Sequence, residues 1–309
     1  MTRTRLLLGH AGFARAAVAA SAVGLLLAAC GSSGTTTPGA GSTPTPTTAV
    51  AQKVASIAAE VPSAIQSKGT LIVAADATYA PNEFIGPDGT TVQGMDADLA
   101  QALGTVMGLT VTVQNITFDS IIPGISGGKY DVGMSSFTDK KSREATVDFV
   151  TYFSAGTSFF IKTGGPAINA LTDLCGHNVS VEKGTTQADD ATAADGTCKA
   201  AGKPGVNVLV FTDQNQTNLA LQSGRADVSM ADSPVAAYQV KQSNGAFAVS
   251  GMPYGTAPYG IALPKGNGMT KPVLDALNEL IKDGVYTSIL TKWGVQAGAI
   301  STPAINAGS

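Results

Sequence analysis

Apolar and polar positions repeat along this chain at two periods, and the switches between them mark its elements. "TLIVAAD" (70–76) is a short apolar run that reads as a buried strand. In "DADLAQALGTVMGL" (96–109), Leu99, Leu103, Val106 and Met107 fall on one helical face. "TVTVQNI" (110–116) returns to alternation, and "DSIIPGISGG" leads into the strand-like "YDVGMSS". A second series follows from residue 178. "NVSVEKG" and "VNVLVFTD" read as strands, "TTQADDATAAD" as a helix start, "NQTNLALQSG" as a helix and "RADVSMAD" as a strand. Ser233-Pro234 reads as an N-cap followed by Pro in the first turn of "VAAYQVKQ".

Strand and helix in alternation imply an α/β fold with helices covering a mostly parallel sheet. Two long β-prone stretches, "FVTYFSAGTSFFIK" and "YGTAPYGIALPKG", lie between and after the two series, where each can cross from one lobe to the other. The last helical pattern puts Val273, Leu277, Leu280 and Ile281 on one side, and Val285, Ile289 and Trp293 beyond a break at Gly284.

The two series share a short repeat. Residues 128–134 read Gly-Lys-Tyr-Asp-Val-Gly-Met and residues 224–230 read Gly-Arg-Ala-Asp-Val-Ser-Met. The same offset carries Ser136 onto Asp232. Ligands of open α/β sheets sit beyond the carboxyl ends of strands. One such end offers hydroxyls and then Arg143, which suit an anion; the other offers Asp232, which suits a cation. On spacing alone, Arg143 in "TDKKSRE" reads more readily as a solvated charge than as a ligand group.

The first residues follow different rules. Arg3, Arg5 and Arg15 precede the apolar run 16–29, which is shorter than the roughly 20 residues a bilayer span needs. Residues 1–29 are therefore expected to be a secretory signal. The run ends Leu27-Ala28-Ala29-Cys30, which resembles a bacterial lipobox with Cys30 as the lipidated residue. Residues 30–59 are expected to be a flexible tether, since "GSSGTTTPGAGSTPTPTTAV" holds almost no large apolar side chain. "AQKVASIAAEVPSAIQSKG" allows a short helix leading into the folded part.

The formal charge is −3, and residues 30–309 keep 16 of the 19 basic residues against all 22 acids, about −6. No basic stripe is present, so nucleic acid is not expected as a partner. Cys175 and Cys198 remain after Cys30; in an exported chain they read as a disulfide or as two free buried thiols. With only His10 and His177 besides, neither a metal site nor a cofactor is expected.

From about Thr70 to Gly294 the sequence resembles the bacterial extracytoplasmic solute-binding proteins that serve ABC importers of polar amino acids. The motifs that carry the resemblance are "DATYAPNEF", "GMDADLAQAL", "FDSIIPGISGGKYDV", "SSFTDKKSR", "VEKGTTQ", "ALQSGRADVSMADSPVA" and "PYGIALPKG", in the family's order. The resemblance implies a two-lobed periplasmic-binding-protein-like (type II) fold with two hinge strands. Lobe 1 would take 60–155 and 260–300, lobe 2 would take 156–259, and 301–309 would be a tail. It implies Arg143, Ser136 and Thr138 on a ligand carboxylate, and Asp232 with Thr185 and Thr186 at the other charged group. Asp76 and Ser135 would line the side-chain pocket, and Tyr79 and Phe118 would flank the ligand's stem. Asn82 replaces an aromatic residue of many relatives, which implies a more polar pocket mouth. Glu182 also departs from the pattern. Beside Asp76 it would favour a basic amino acid, unless it pairs with Lys183 or points to solvent.

The expected protein is then a monomeric, lipid-anchored, extracytoplasmic binder of a free L-amino acid, handing it to a membrane permease. Rival readings are a cyclohexadienyl-dehydratase-like enzyme on the same fold and a component feeding a sensor. A serine acyl-transferase, suggested by "SGGK" and "KTGG", fails because Ser126 precedes a strand instead of opening a helix.

Overall fold

The computed structural model describes residues 49–308. The expected signal segment and Cys30 lie outside the described residues. Elements run in the order α1 (Ala55–Glu60), α2 (Ser63–Lys68), β1 (Thr70–Ala75), β2 (Thr78–Tyr79), β3 (Glu83–Ile85) and β4 (Val92–Gln93). Next come α3 (Met95–Met107), β5 (Thr110–Asn115), α4 (Phe118–Ser126), β6 (Val132–Gly133), α5 (Lys141–Glu144) and β7 (Val147–Lys162). A 3-10 turn, Leu171–Leu174, precedes β8 (Asn178–Glu182), α6 (Thr186–Ala200), β9 (Asn207–Phe211), α7 (Gln214–Ser223) and β10 (Val228–Asp232). The chain closes with α8 (Ser233–Gln242), β11 (Phe247–Pro264), α9 (Thr270–Lys282), α10 (Val285–Trp293) and a second 3-10 turn.

Eight strands form one sheet in the order β5-β1-β6-β11-β7-β10-β8-β9. The order is symmetric about its middle. On one side β5, β1 and β6 run parallel; on the other β10, β8 and β9 do the same. Between them the two longest strands, β7 and β11, pair antiparallel and belong to both halves. Each half is a lobe, and β7 and β11 are the hinge strands. Breaks in the β7–β11 register between Ser250 and Ala257 fall where the chain passes from one lobe to the other.

Helix α3 buries Leu99, Leu103, Val106 and Met107, as its spacing requires, against β1 and against α9 through Val273, Leu277 and Leu280. Lobe 2 has its own core, in which Val179, Val181, Val228 and Met230 of the sheet meet Ala191, Ala194 and Cys198 of α6. Cys175 and Cys198 are joined as a disulfide that ties the 3-10 turn to α6.

Two ends of the folded chain are more ordered than their composition suggests. Ala49, Ala51, Val54 and Ile57 pack against the lobe 1 core, so residues 49–59 are not free tether. Segment 301–308 docks along β7. The Thr151 N–H donates to the Ala304 carbonyl, and the Ala304 N–H donates back to Thr151 Oγ1. Asn306 bonds the Phe149 N–H and Asp148, and the N–H groups of Ala307 and Gly308 reach Asp139 and Glu144. The N-cap of α8 is Asp232 and not Ser233, with its carboxylate turned away from the helix toward Gln187 and Tyr259.

Candidate functional site

The repeated Gly-Lys/Arg-x-Asp-Val motif has a common local role. In lobe 1 the Asp131 carboxylate accepts the Ile72 N–H at 2.7 Å; in lobe 2 the Asp227 carboxylate accepts the Asn178 N–H at 2.8 Å. Each aspartate thus ties its strand to the start of the neighbouring parallel strand. The strands then diverge in what they deliver to the space between the lobes.

That space is a narrow pocket between the two walls. Asp76, Tyr79, Phe118, Ser135, Ser136, Thr138, Arg143, Glu182, Thr185, Thr186 and Asp232 all line it, so the structure brings together every one of the candidate side chains. Glu83 and Gln187 line it too. Both stand inside quoted motifs, but neither had a chemical signal of its own. Asn82 does not open onto the pocket. It is fully buried and donates to Ser136 Oγ, behind the wall.

The walls touch at several points. The Asp232 N–H donates to the Tyr79 hydroxyl at 2.8 Å, and the Gln214 N–H to Thr78 Oγ1 at 3.1 Å. Lys140–Asp189 and Lys183–Asp119 bridge the rim, each at 2.8 Å. Lys183 therefore serves Asp119 and leaves Glu182 without a cation.

Arg143 stands at one end. Its guanidinium donates to the Thr138 and Gly184 carbonyls, each at 2.9 Å, and lies over the rings of Phe118 and Phe137. It forms no ion pair among the described residues. Burial lowers its pKa to about 10, which leaves it fully charged at neutral pH. The N-terminus of α6, capped by Thr185, opens beside it and adds a positive dipole end.

Asp232 is 7% exposed and accepts from Gln187 Nε2 at 2.7 Å and from the Tyr259 hydroxyl at 2.6 Å. Burial raises it to about 6 against the pull of those hydrogen bonds. Asp76 accepts from Thr78 and from the Phe118 N–H, and burial raises it. Glu182, 3% exposed, lies opposite Asp76; burial and then that neighbouring charge push it well above the carboxylate range. Its Oε1 has no hydrogen-bond partner. Four acids thus share the pocket with one arginine.

Ser136 is held in an unusual backbone conformation, φ 54°. Its N–H donates to Asp96 at 3.0 Å and its hydroxyl to Glu83 at 3.3 Å. Both donors expected for a ligand carboxylate are therefore already engaged. Gly94, at φ 131°, makes this possible: a Cβ there would lie 2.2 Å from the Asn82 carbonyl, so only glycine lets α3 start close enough to bring Asp96 under Ser136.

Residues 71–296 match the model of the bacterial extracellular solute-binding proteins, family 3. An arginine-binding protein of Corynebacterium glutamicum is 33% identical over 258 residues, covering 83% of this chain and 84% of that one. An ancestral arginine-binding protein solved with glutamine superposes with a TM-score of 0.68 at 36% identity, covering 74% of this chain and 98% of its own. An ancestral amino-acid-binding protein, the precursor of a cyclohexadienyl dehydratase, superposes at 0.67 with 32% identity, covering 74% of this chain and 97% of its own. Family members are extracytoplasmic partners of ABC transporters, and their two-lobed architecture is the one seen here. The chain belongs to the bacterial extracellular solute-binding proteins of family 3.

Proposed function

We propose that this protein captures a basic L-amino acid, arginine or lysine-like, by hinge closure and presents it to an ABC permease. One observation carries the choice of ligand: the pocket sets Asp76, Glu83, Glu182 and Asp232 against Arg143 alone. A zwitterion with a neutral side chain would balance Arg143 and one acid. A second cationic group would lie against the buried pair Asp76 and Glu182 and favour their charged forms, which burial otherwise disfavours.

In this reading Arg143 and the α6 N-terminus take the ligand carboxylate, a match in which the planar guanidinium can give two parallel bonds. Asp232 takes the ammonium. Lobe 1 (60–155 and 260–300) and lobe 2 (156–259) move as bodies on β7 and β11, and only their approach lets one molecule meet both walls. The cysteine that ends the leading apolar run supports Cys30 as a lipid anchor on the outer face of the cell membrane. The relatives named as amino-acid-binding proteins support binding over dehydration.

Calorimetry with arginine, lysine, histidine, glutamine and glutamate tests the reading. Arginine or lysine is expected to bind at least about a hundredfold tighter than glutamate, from one repelled charge in a dry site. Preference for glutamate would overturn it.

A further inference from the structure

Glu83 carries no chemical signal of its own in the sequence, yet it organises one wall of the pocket. It sits in β3 with no exposed surface. Ser135 Oγ donates to its Oε1 at 2.9 Å and Ser136 Oγ donates to its Oε2 at 3.3 Å. Beneath lies Asp96, which accepts from the Tyr152 hydroxyl at 2.8 Å and from the Ser136 N–H at 3.0 Å.

A serine hydroxyl has one proton and two lone pairs. Ser135 also accepts the Asp76 N–H at 2.9 Å, and Ser136 accepts Asn82 Nδ2 at 2.9 Å. Each hydroxyl has therefore given its proton to Glu83 and used one lone pair. One lone pair per serine is left for the pocket. The neighbouring donors are spent in the same way. Thr185 Oγ1 donates to the Glu182 carbonyl, and Gln187 Nε2 donates to Asp232 and Thr157. Ser135 and Ser136 therefore face the pocket as acceptors.

We propose that Glu83 is a specificity-determining positioning residue, which takes the hydroxyl protons of Ser135 and Ser136 so that their wall accepts only ligands ending in a donor-only cation. A guanidinium or an ammonium carries hydrogen-bond donors and no acceptor. A ureido or amide group of the same shape carries a carbonyl oxygen, which finds no donor on Ser135 or Ser136 and is left unpaired against them on burial. Sites that hold a buried group unpaired discriminate strongly. The inference rests on the basic-amino-acid reading above.

The test compares arginine with citrulline, its neutral ureido analogue, by calorimetry on the whole chain and on two variants. The wild type is expected to prefer arginine by at least about a hundredfold. Glu83→Met removes both acceptor oxygens, freeing both serine hydroxyls to donate inward. It is expected to lower the arginine-to-citrulline ratio at least about tenfold, with citrulline binding held or improved. Glu83→Gln keeps one acceptor oxygen and is expected to fall between the two; it carries the test alone if the methionine variant does not fold. A structural role would weaken both ligands by the same factor, and an unmoved ratio in the folded variants overturns the inference. A wild type that binds neither arginine nor lysine overturns the underlying reading instead.

Discussion

The two strand ends that follow the shared Asp-Val motif, at β6 and at β10, are built alike and finished differently. Asp131 and Asp227 make the same backbone bond in the two halves of the sheet, and Val132 and Val228 pair with Val73 and Val179. Past that point the β6 end turns through Ser136 into the loop that presents Arg143, with its hydroxyls fixed by buried acids. The β10 end stops at Asp232, which opens α8 and keeps its carboxylate for the pocket. The scaffold repeats what holds a lobe together, and the variation is confined to what faces the ligand. Closing two such halves on one hinge gives a site with opposite charges on opposite walls.

The largest effect should come from breaking the finished ends. Arg143→Ala is expected to abolish measurable binding, since truncating one partner of a desolvated charge pair costs roughly 2–5 kcal/mol. Asp232→Asn should weaken binding somewhat less, because the amide still fills the site between Gln187 and Tyr259. Calorimetry checks both, and thermal melting of the unliganded proteins should change little.

Altering the shared part should do the reverse. Asp131→Ala and Asp227→Ala each remove a charge-assisted bond to a strand N–H, and each is expected to cost about 1–3 kcal/mol of stability in denaturant titrations. Asp131 should matter more. It also pairs with Lys68 at 2.5 Å, and its side chain is less exposed than that of Asp227. Ligand preference should stay the same in both variants.

The smallest effect is on pH. Burial holds Asp96, Asp139 and Asp232 up at about 6, and Asp76, Glu83 and Glu182 are raised as well. The folded chain then binds protons that the unfolded chain has already released. The stability these groups contribute is full below about 4 and is lost as the pH rises through 6. Unliganded protein should therefore melt a few degrees higher at pH 5.5 than at pH 7.5. Arginine affinity should move the opposite way, falling as Asp232 takes up a proton. Parallel trends would contradict the assignment of Asp232 to the ligand ammonium.

Much of this was legible in the chain. Period-2 and period-3.6 patterns located the sheet and α3, and the offset repeat placed Ser136 and Asp232 on opposing walls. What escaped notice was held by polar contacts that leave no periodic trace. Glu83 reaches the pocket because Gly94 lets two backbones meet, a geometry that no spacing announces. Segment 301–308 carries few large apolar groups and is fixed by backbone bonds to Thr151, Asp139 and Glu144. The N-cap of α8 was misplaced by one residue because Asp232 serves the cleft in preference to its own helix.

That docked segment has a consequence for how grip strength can change over time. It lies beyond the span shared with the family, touches nothing inside the cleft, and yet buttresses Asp139 and Glu144 on either side of the arginine loop. Sequence drift there would reach the arginine loop only through Asp139 and Glu144, leaving every cargo-facing side chain untouched.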